Sequence, residues 1–520
     1  MEVRHSPDAP VVAPVQSHLD IEGPTFHELL FEWMERAPWL VISLGAHVVV
    51  LLVLSLIPWE LFEEVEEVRI AATLAQPPDE VVEDQPEEPE PEIKPEEFTE
   101  DPVIIDEFVI DPSPVDLAED SMAEGEPDQF NPTPFEFSQD NNLIGTGGGP
   151  GGGPYGDRFK DGLGGPNGNV GGSRADYEQG LRWLVAHQDA DGKWDADGFM
   201  KHDVTGTACD GPGQSEHDVG VTALALLALL GDGHTTQLGE YRDHVARGVH
   251  WLVQQQDSDS GLIGERIGHS FMYGHGIATL ALCEAYYFSG SPILKPKVQA
   301  AVNFVTRARN PYGVWRYDAP PNGDQDTSVT GWMILALKSA QGAGLKIDSS
   351  AFADSLSFLD EVTDPATGRA GYAVVGEQSS RIPGVNDHYS TNTTESMTSV
   401  ALLCRTFLGQ SPEDTPAMQK GAALLRSALP EHDADGLTND LYYWYYGSYA
   451  MYQLGGRDWK VWSRALDSAL VKTQRKTGNE NGSWDPDGPW GMVGGRVYST
   501  ALGVLCCEAY YRYSRVLGGR

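Results

Sequence analysis

A repeat constrains this chain more than any other feature. Residues 180–194 read GLRWLVAHQDADGKW, the pattern Gly-x2-Trp-Leu-x3-Gln-x3-Gly-x-Trp. It returns at 248–263 as GVHWLVQQQDSDSGLI, with Ile263 in place of the last aromatic. It returns again at 301–315 as AVNFVTRARNPYGVW, with Arg309 in the Gln place. Phe358-Leu359 with Gly368, Leu424-Leu425 with Gly436, and Gln474 with Gly482 and Trp484 make three weaker copies. Units repeated in this way bury their apolar faces only against their neighbours.

Each copy is followed by a second apolar run: DVGVTALALLALLGDG, GHGIATLALCEAYYFSG, DTSVTGWMILALKSAQG, TESMTSVALLCRTFLG, LYYWYYGSYAMYQLGG and RVYSTALGVLCCEAYYR. Several close on Gly, as helix C-termini do. The first helix of each pair is amphipathic, and the second is apolar nearly all round, which predicts burial. The expected fold class is all-α: an α/α toroid of six helical hairpins over residues 173–520, with twelve helices in two concentric rings. A linear helical solenoid is the rival. Six pairs favour closure, which leaves no bare apolar end.

The motif resembles the QW repeat of squalene-hopene and oxidosqualene cyclases, whose superfamily includes the protein prenyltransferase β-subunits. The resemblance covers about residues 174–515 and implies a structural role for the motif. Gln and Gly complete the outer helix and its turn, and Trp packs beside the next helix. It does not carry the family chemistry across. The cyclases protonate an alkene through Asp-x-Asp-Asp-Thr, and the nearest match is GDQDTSV, Gly323–Val329. There Asp326 fits the last Asp, but Gln325 stands in the donor's place and Gly323 in that of the first Asp. The cyclases also place their site between two helical domains, and this chain has one. The prenyltransferase zinc site needs Asp-x-Cys and a distant His; Cys209-Asp210 has the wrong order. No cofactor and no metal are expected.

Chemistry is then expected at one rim of the ring, where inner-helix N-termini favour negative groups. Aligning the inner runs on Thr222, Thr330, Thr398 and Thr500 sets Asp218, Asp326, Thr394, Arg496, Tyr273 and Tyr443 at equivalent positions. Around them fall His217, His269, His275, Asp324, His388, Glu395, Tyr442 and Trp490. Each acid has a plain alternative as a helix N-cap. As a group they form the default cavity site, with Asp326 and Asp324 as candidate acid and base. DADGKWDADG, 189–198, spaces its acids like a calcium loop but lacks the sixth-place Gly and the closing Glu, and reads as a solvated turn.

Upstream, residues 39–59 hold no charge and carry a Trp at each end, which predicts one transmembrane helix after an N-terminal cytoplasmic segment, 1–38. Ser43 and His47 share one face of that helix. Residues 60–172 are rich in Pro, Gly and acids, including PPDEVVEDQPEEPEPEIKPEE at 77–97, and predict a disordered linker. Ser-x3-His followed by a Pro/Glu tract resembles TonB-type energy-transducing proteins. That implies ExbB/ExbD-like motor subunits as partners, with the toroid in the periplasm, the anchor in the inner membrane and the N-terminus inside.

A net charge of −42, from 77 acidic against 35 basic residues, excludes nucleic acid as a partner. Cys283, Cys404, Cys506 and Cys507 lie in apolar runs and read as buried free thiols. Two functions remain open on sequence. One is a membrane-anchored binding or force-transmitting protein whose toroid holds a ligand or client. The other is an enzyme acting on an isoprenoid, lipid or glycan in the toroid cavity.

Overall fold

A computed structural model describes residues 47–48, 174–204, 206–433 and 435–513. Twelve helices make up the large unit: α1 Arg174–Ala186, α2 Asp218–Gly231, α3 Arg242–Gln254, α4 Ser270–Ser289, α5 Leu294–Arg307, α6 Thr327–Gly342, α7 Ser350–Val362, α8 Ser396–Phe407, α9 Pro416–Ser427, α10 Leu441–Leu454, α11 Gly456–Thr473 and α12 Gly491–Cys507. There is no strand among the described residues, only two isolated bridges, Gln256–Ile263 and Thr363–Ala370.

The even-numbered helices are buried almost throughout and the odd-numbered ones along one face. That is the division their apolar patterns predict. Each even helix packs against the next, and α12 packs back onto α2, so the inner ring closes. Closure, rather than an open solenoid, follows from the burial: α2 buries all its residues from Val221 to Gly231, which an end position would expose. The first outer helix, α1, packs chiefly on α12, the last inner one. Elsewhere the tight hairpin runs from an inner helix to the outer helix after it, and the repeat motif spans the longer return. The fold is an α/α toroid.

The motif residues are its fasteners. The indole Nε1 of Trp194, Trp315 and Trp484 donates to the carbonyls of Leu184, Val305 and Leu470 at 2.7, 2.8 and 3.0 Å, sealing each outer helix's last turn. Gln188 Nε2 donates to Gly192 O at 2.8 Å and to His244 O of the next repeat at 3.0 Å. Gln256 does the same to Gly261 and Lys297. Arg309, in the Gln place, reaches Gly313 O at 3.2 Å and pairs with Asp348 and Asp354. The motif glycine has two constraints at once. Gly192 sits at φ 106, and a Cβ there would collide with the Arg247 carbonyl; Gly261, Gly368 and Gly482 repeat the arrangement.

No helix among the described residues is long and apolar enough to cross a membrane. The expected anchor and linker lie outside the described residues, apart from His47 and Val48, which are helical and exposed. Ser43 lies outside them too.

Candidate active site

Asp326 begins α6 from extended backbone, and its Oδ1 accepts from Val329 N at 2.7 Å, an N-cap in geometry. Its other oxygen meets side chains from two loops. Tyr372 OH donates to Oδ2 at 3.2 Å, and Arg316 Nε lies 3.7 Å away. The carboxyl is wholly buried, and burial pushes its pKa up to about 7 against the lowering pull of the Val329 amide, Arg316 and Tyr372.

The surrounding groups come from the loops that carry the repeat. Tyr317 and Tyr372 each stand two residues beyond the motif's final aromatic slot, at Trp315 and Ala370. Their hydroxyls bond each other. Thr327 ties the Tyr372 loop to α6, with N donating to Tyr372 O at 2.8 Å and Oγ1 to Gly371 O at 2.6 Å. The Arg316 guanidinium lies 5.2 Å from the Tyr317 ring centre and 5.6 Å from that of Tyr372. His269 stacks on Tyr317 at 4.2 Å.

A second buried carboxyl belongs to the same end of the ring. Asp440 caps α10, accepting from Tyr443 N at 3.0 Å, and its Oδ2 accepts from Ser396 Oγ at 3.2 Å and Thr394 Oγ1 at 3.3 Å. Burial raises its pKa, opposed by Arg381. Tyr442, whose OH lies 2.8 Å from Ser328 Oγ, feels the charge of both Asp326 and Asp440. Tyr273 and Tyr498 are enclosed enough that burial drives their phenols well above the usual range, yet each keeps accessible surface. Val219, Gly220 and Gly274 on neighbouring inner helices also keep some. These partly exposed groups are the candidate lining of a hollow beside Asp326. Among the inner helices Trp332 stacks on Tyr445 at 5.4 Å and packs against Tyr446 at 5.3 Å.

Of the residues expected at the rim, Asp326, Tyr273 and Tyr442 come together at this hollow. Trp490, the α12 N-cap, is half-buried beneath the Arg381 guanidinium, 6.0 Å from its ring centre. The others are placed elsewhere. Asp324 has its side chain 61% exposed and lies 4.0 Å from Arg316 Nη1, so one guanidinium stands between it and Asp326. Asp218 is bound by Lys193 Nζ at 2.8 Å and Ala196 N at 2.8 Å. His275 takes the place held elsewhere by the repeat's threonine. Its Nδ1 accepts from Ile263 N at 3.1 Å, as Thr222 Oγ1 does from Trp194 N at 2.9 Å, and burial lowers its pKa to about 4. Glu395 is clasped by Arg369, and His388 is exposed, against Tyr389. Tyr443 points outward, donating to Ala428 O at 2.7 Å. Arg496 is consumed by Ser483 at 2.9 Å, Asp485 at 2.8 Å and Asp210.

Sequence reading did not find Tyr317, Tyr372, Arg316, Asp440 or Arg381. A signal existed for the two tyrosines in their shared offset from the motif. Asp440 was hidden because α10 lacks the threonine used for alignment.

The toroid resembles several solved structures. Among them are an inactive variant of an alpha-1,6-mannanase of Salegentibacter in complex with alpha-1,6-mannotriose (11% identity, 65% of this chain and 98% of that one, TM-score 0.45) and a sugar epimerase from a ruminal bacterium (14%, 65% and 98%, 0.46). A type II terpene cyclase from Scytonema in complex with geranylgeranyl dihydroxybenzoate is also similar (14%, 65% and 97%, 0.41). No family model and no curated protein matches the chain.

Proposed function

We propose that the toroid is an enzyme acting on a glycan in a hollow lined by these residues, with Asp326 as the general acid. The observation that carries it is one wholly buried carboxyl, its pKa raised to about 7, placed between a phenol and a guanidinium. A general acid works best with a pKa near the operating pH, and a passive binding surface gains nothing from such a group. The lining selects the substrate class. Tyr273, Tyr317, Tyr372, Tyr442 and Ser328 offer hydroxyls and ring faces together, which suits a sugar's alternating OH and CH surfaces. Protonating an alkene needs a far stronger acid than this one. Asp326 would protonate the departing oxygen, and Asp440, across Tyr442, is the second carboxyl of the site.

The test is reducing-end release by the full chain from a panel of α- and β-linked oligosaccharides. Activity is expected to fall as pH rises through about 7 and to drop by at least about 100-fold in Asp326→Asn. Turnover that survives in Asp326→Asn removes the proposal.

We propose in addition that residues 39–59 tether the toroid to the inner membrane with Ser43 and His47 facing ExbB/ExbD-like motor subunits. Support is the uncharged span and the Ser-x3-His spacing. His47→Ala is expected to abolish co-purification with those subunits while leaving insertion intact.

A further inference from the structure

Far from Asp326, three side chains with metal-binding atoms meet at the seam where the ring closes. His187 ends the first outer helix, and Asp203 and Cys209 belong to the loop that follows the first motif. Their ligand atoms all lie within 4.8 Å of one another. His187 Nε2 is 3.3 Å from Asp203 Oδ1, and Cys209 Sγ is 3.1 Å from the same oxygen. The edges of a tetrahedron with bonds of about 2.0 to 2.3 Å are roughly 3.3 to 3.8 Å long, so these separations need only a small adjustment. His187 and Cys209 are buried, each 4% exposed.

The hydrogen bonds set the donors for a cation. His187 Nδ1 lies 2.7 Å from the Trp183 carbonyl, which can only accept, so Nδ1 carries a proton and donates it. In the neutral ring Nε2 is then a lone pair facing a carboxylate oxygen that also accepts from Cys209 Sγ, so a metal ion here would displace the thiol proton and bridge all three. Backbone carbonyls orient metal-binding histidines in this way. Asp203 Oδ2 is occupied by Cys209 N at 2.7 Å, which leaves Oδ1 as the inward-facing oxygen. Trp183, stacked on the imidazole at 4.0 Å, and Phe199, edge-on at 6.0 Å, wall the place off from solvent.

We propose that His187, Asp203 and Cys209 bind one zinc ion, with water in the fourth position. Imidazole and thiolate together favour zinc over calcium or magnesium, which prefer oxygen. The location gives the ion a task. The loop from Asp203 to Gly213 is held by the last repeat: Val204 N donates to Asn479 Oδ1 at 3.2 Å, Asn479 Nδ2 to Thr207 O at 3.0 Å, and Arg496 N to Gly211 O at 2.9 Å. Asn479 O also accepts from Trp183 Nε1 at 2.9 Å. Zinc would staple α1, this loop and the last repeat into one closure. The spacing 187, 203, 209 matches no common zinc pattern, so only the folded chain brings these three residues to notice.

The test uses tag-free full-length chain stripped with chelator and titrated with cobalt(II), then zinc(II). The expected result is one ion per chain, a thiolate-to-cobalt charge-transfer band that zinc abolishes, and a thermal midpoint several degrees higher with zinc than without. Cys209→Ser should lose the band and weaken zinc binding by at least about 100-fold, and Asp203→Asn should weaken it similarly, both with unchanged helical circular dichroism. If either variant fails to fold, the titration of the natural chain decides alone. No bound ion, or a band that persists in folded Cys209→Ser, overturns the site.

Discussion

The two ends of the inner ring both bury acids and arginines, and they use them differently. At the C-terminal end Arg512 sits between two carboxylates. Its Nη2 donates to Glu284 Oε2 at 2.9 Å and its Nη1 to Glu508 Oε2 at 2.8 Å, while Tyr513 OH donates to Glu284 at 3.1 Å and Arg512 also reaches Leu227 O at 2.6 Å. Gly231 lets the cluster close, since a Cβ there would collide with both Glu508 and Arg512. At the N-terminal end the matching is loose. Arg316 Nε stops 3.7 Å short of Asp326, where Arg512 reaches its carboxylates at 2.8 and 2.9 Å. Directly paired buried charges hold α2, α4 and the end of the chain together. At the other end the arginine stands further from the acid.

Breaking the paired end should have the largest effect. Arg512→Ala leaves Glu284 and Glu508 buried without their counter-charge, and a loss of about 3–5 kcal/mol is expected in denaturant unfolding. A loss below about 1 kcal/mol would mean that the two ends do not differ as described. The looser end should show itself in pH dependence. Asp326 has its folded pKa raised above the unfolded value, so the stability it contributes is present below about pH 4 and lost as pH rises toward 7. The unfolding free energy of the natural chain minus that of Asp326→Asn should fall across that window by at most about 4 kcal/mol. Asparagine keeps the cap, so the comparison isolates the charge.

Finer changes sharpen the contrast. Tyr372→Phe removes a hydrogen bond that favours the ionised acid, so the Asp326 pKa should move further up, with a stability change of about 1 kcal/mol. A downward move would misplace the phenol's role. Asp324→Asn should change stability by less than about 0.5 kcal/mol, because Asp324 is 61% exposed and its one charged contact, Arg316, is 4.0 Å away.

The fold was largely legible because it is written as a local pattern. Trp, Gln and Gly recur at set offsets, and each makes the same bond in each complete copy. The count of six anticipated closure. The site was half legible. Thr alignment located Asp326, since an N-cap four residues before that threonine is a local event. Its register slipped at α10, which carries no such threonine, so Tyr443 falls on the outward side. Arg316, Arg381 and the phenol pair could not be read, for their roles depend on which loops meet over the ring. The same holds for Glu395 and Arg496, which looked available and are consumed by Arg369 and by Asp210 and Asp485.

One spectrum addresses the main assertion most directly. The infrared difference between the natural chain and Asp326→Asn should contain a protonated carboxyl band at pH 5 that fades with a midpoint near pH 7. A midpoint near 4, the ordinary value for a solvated aspartate, would show that the ring holds no such acid.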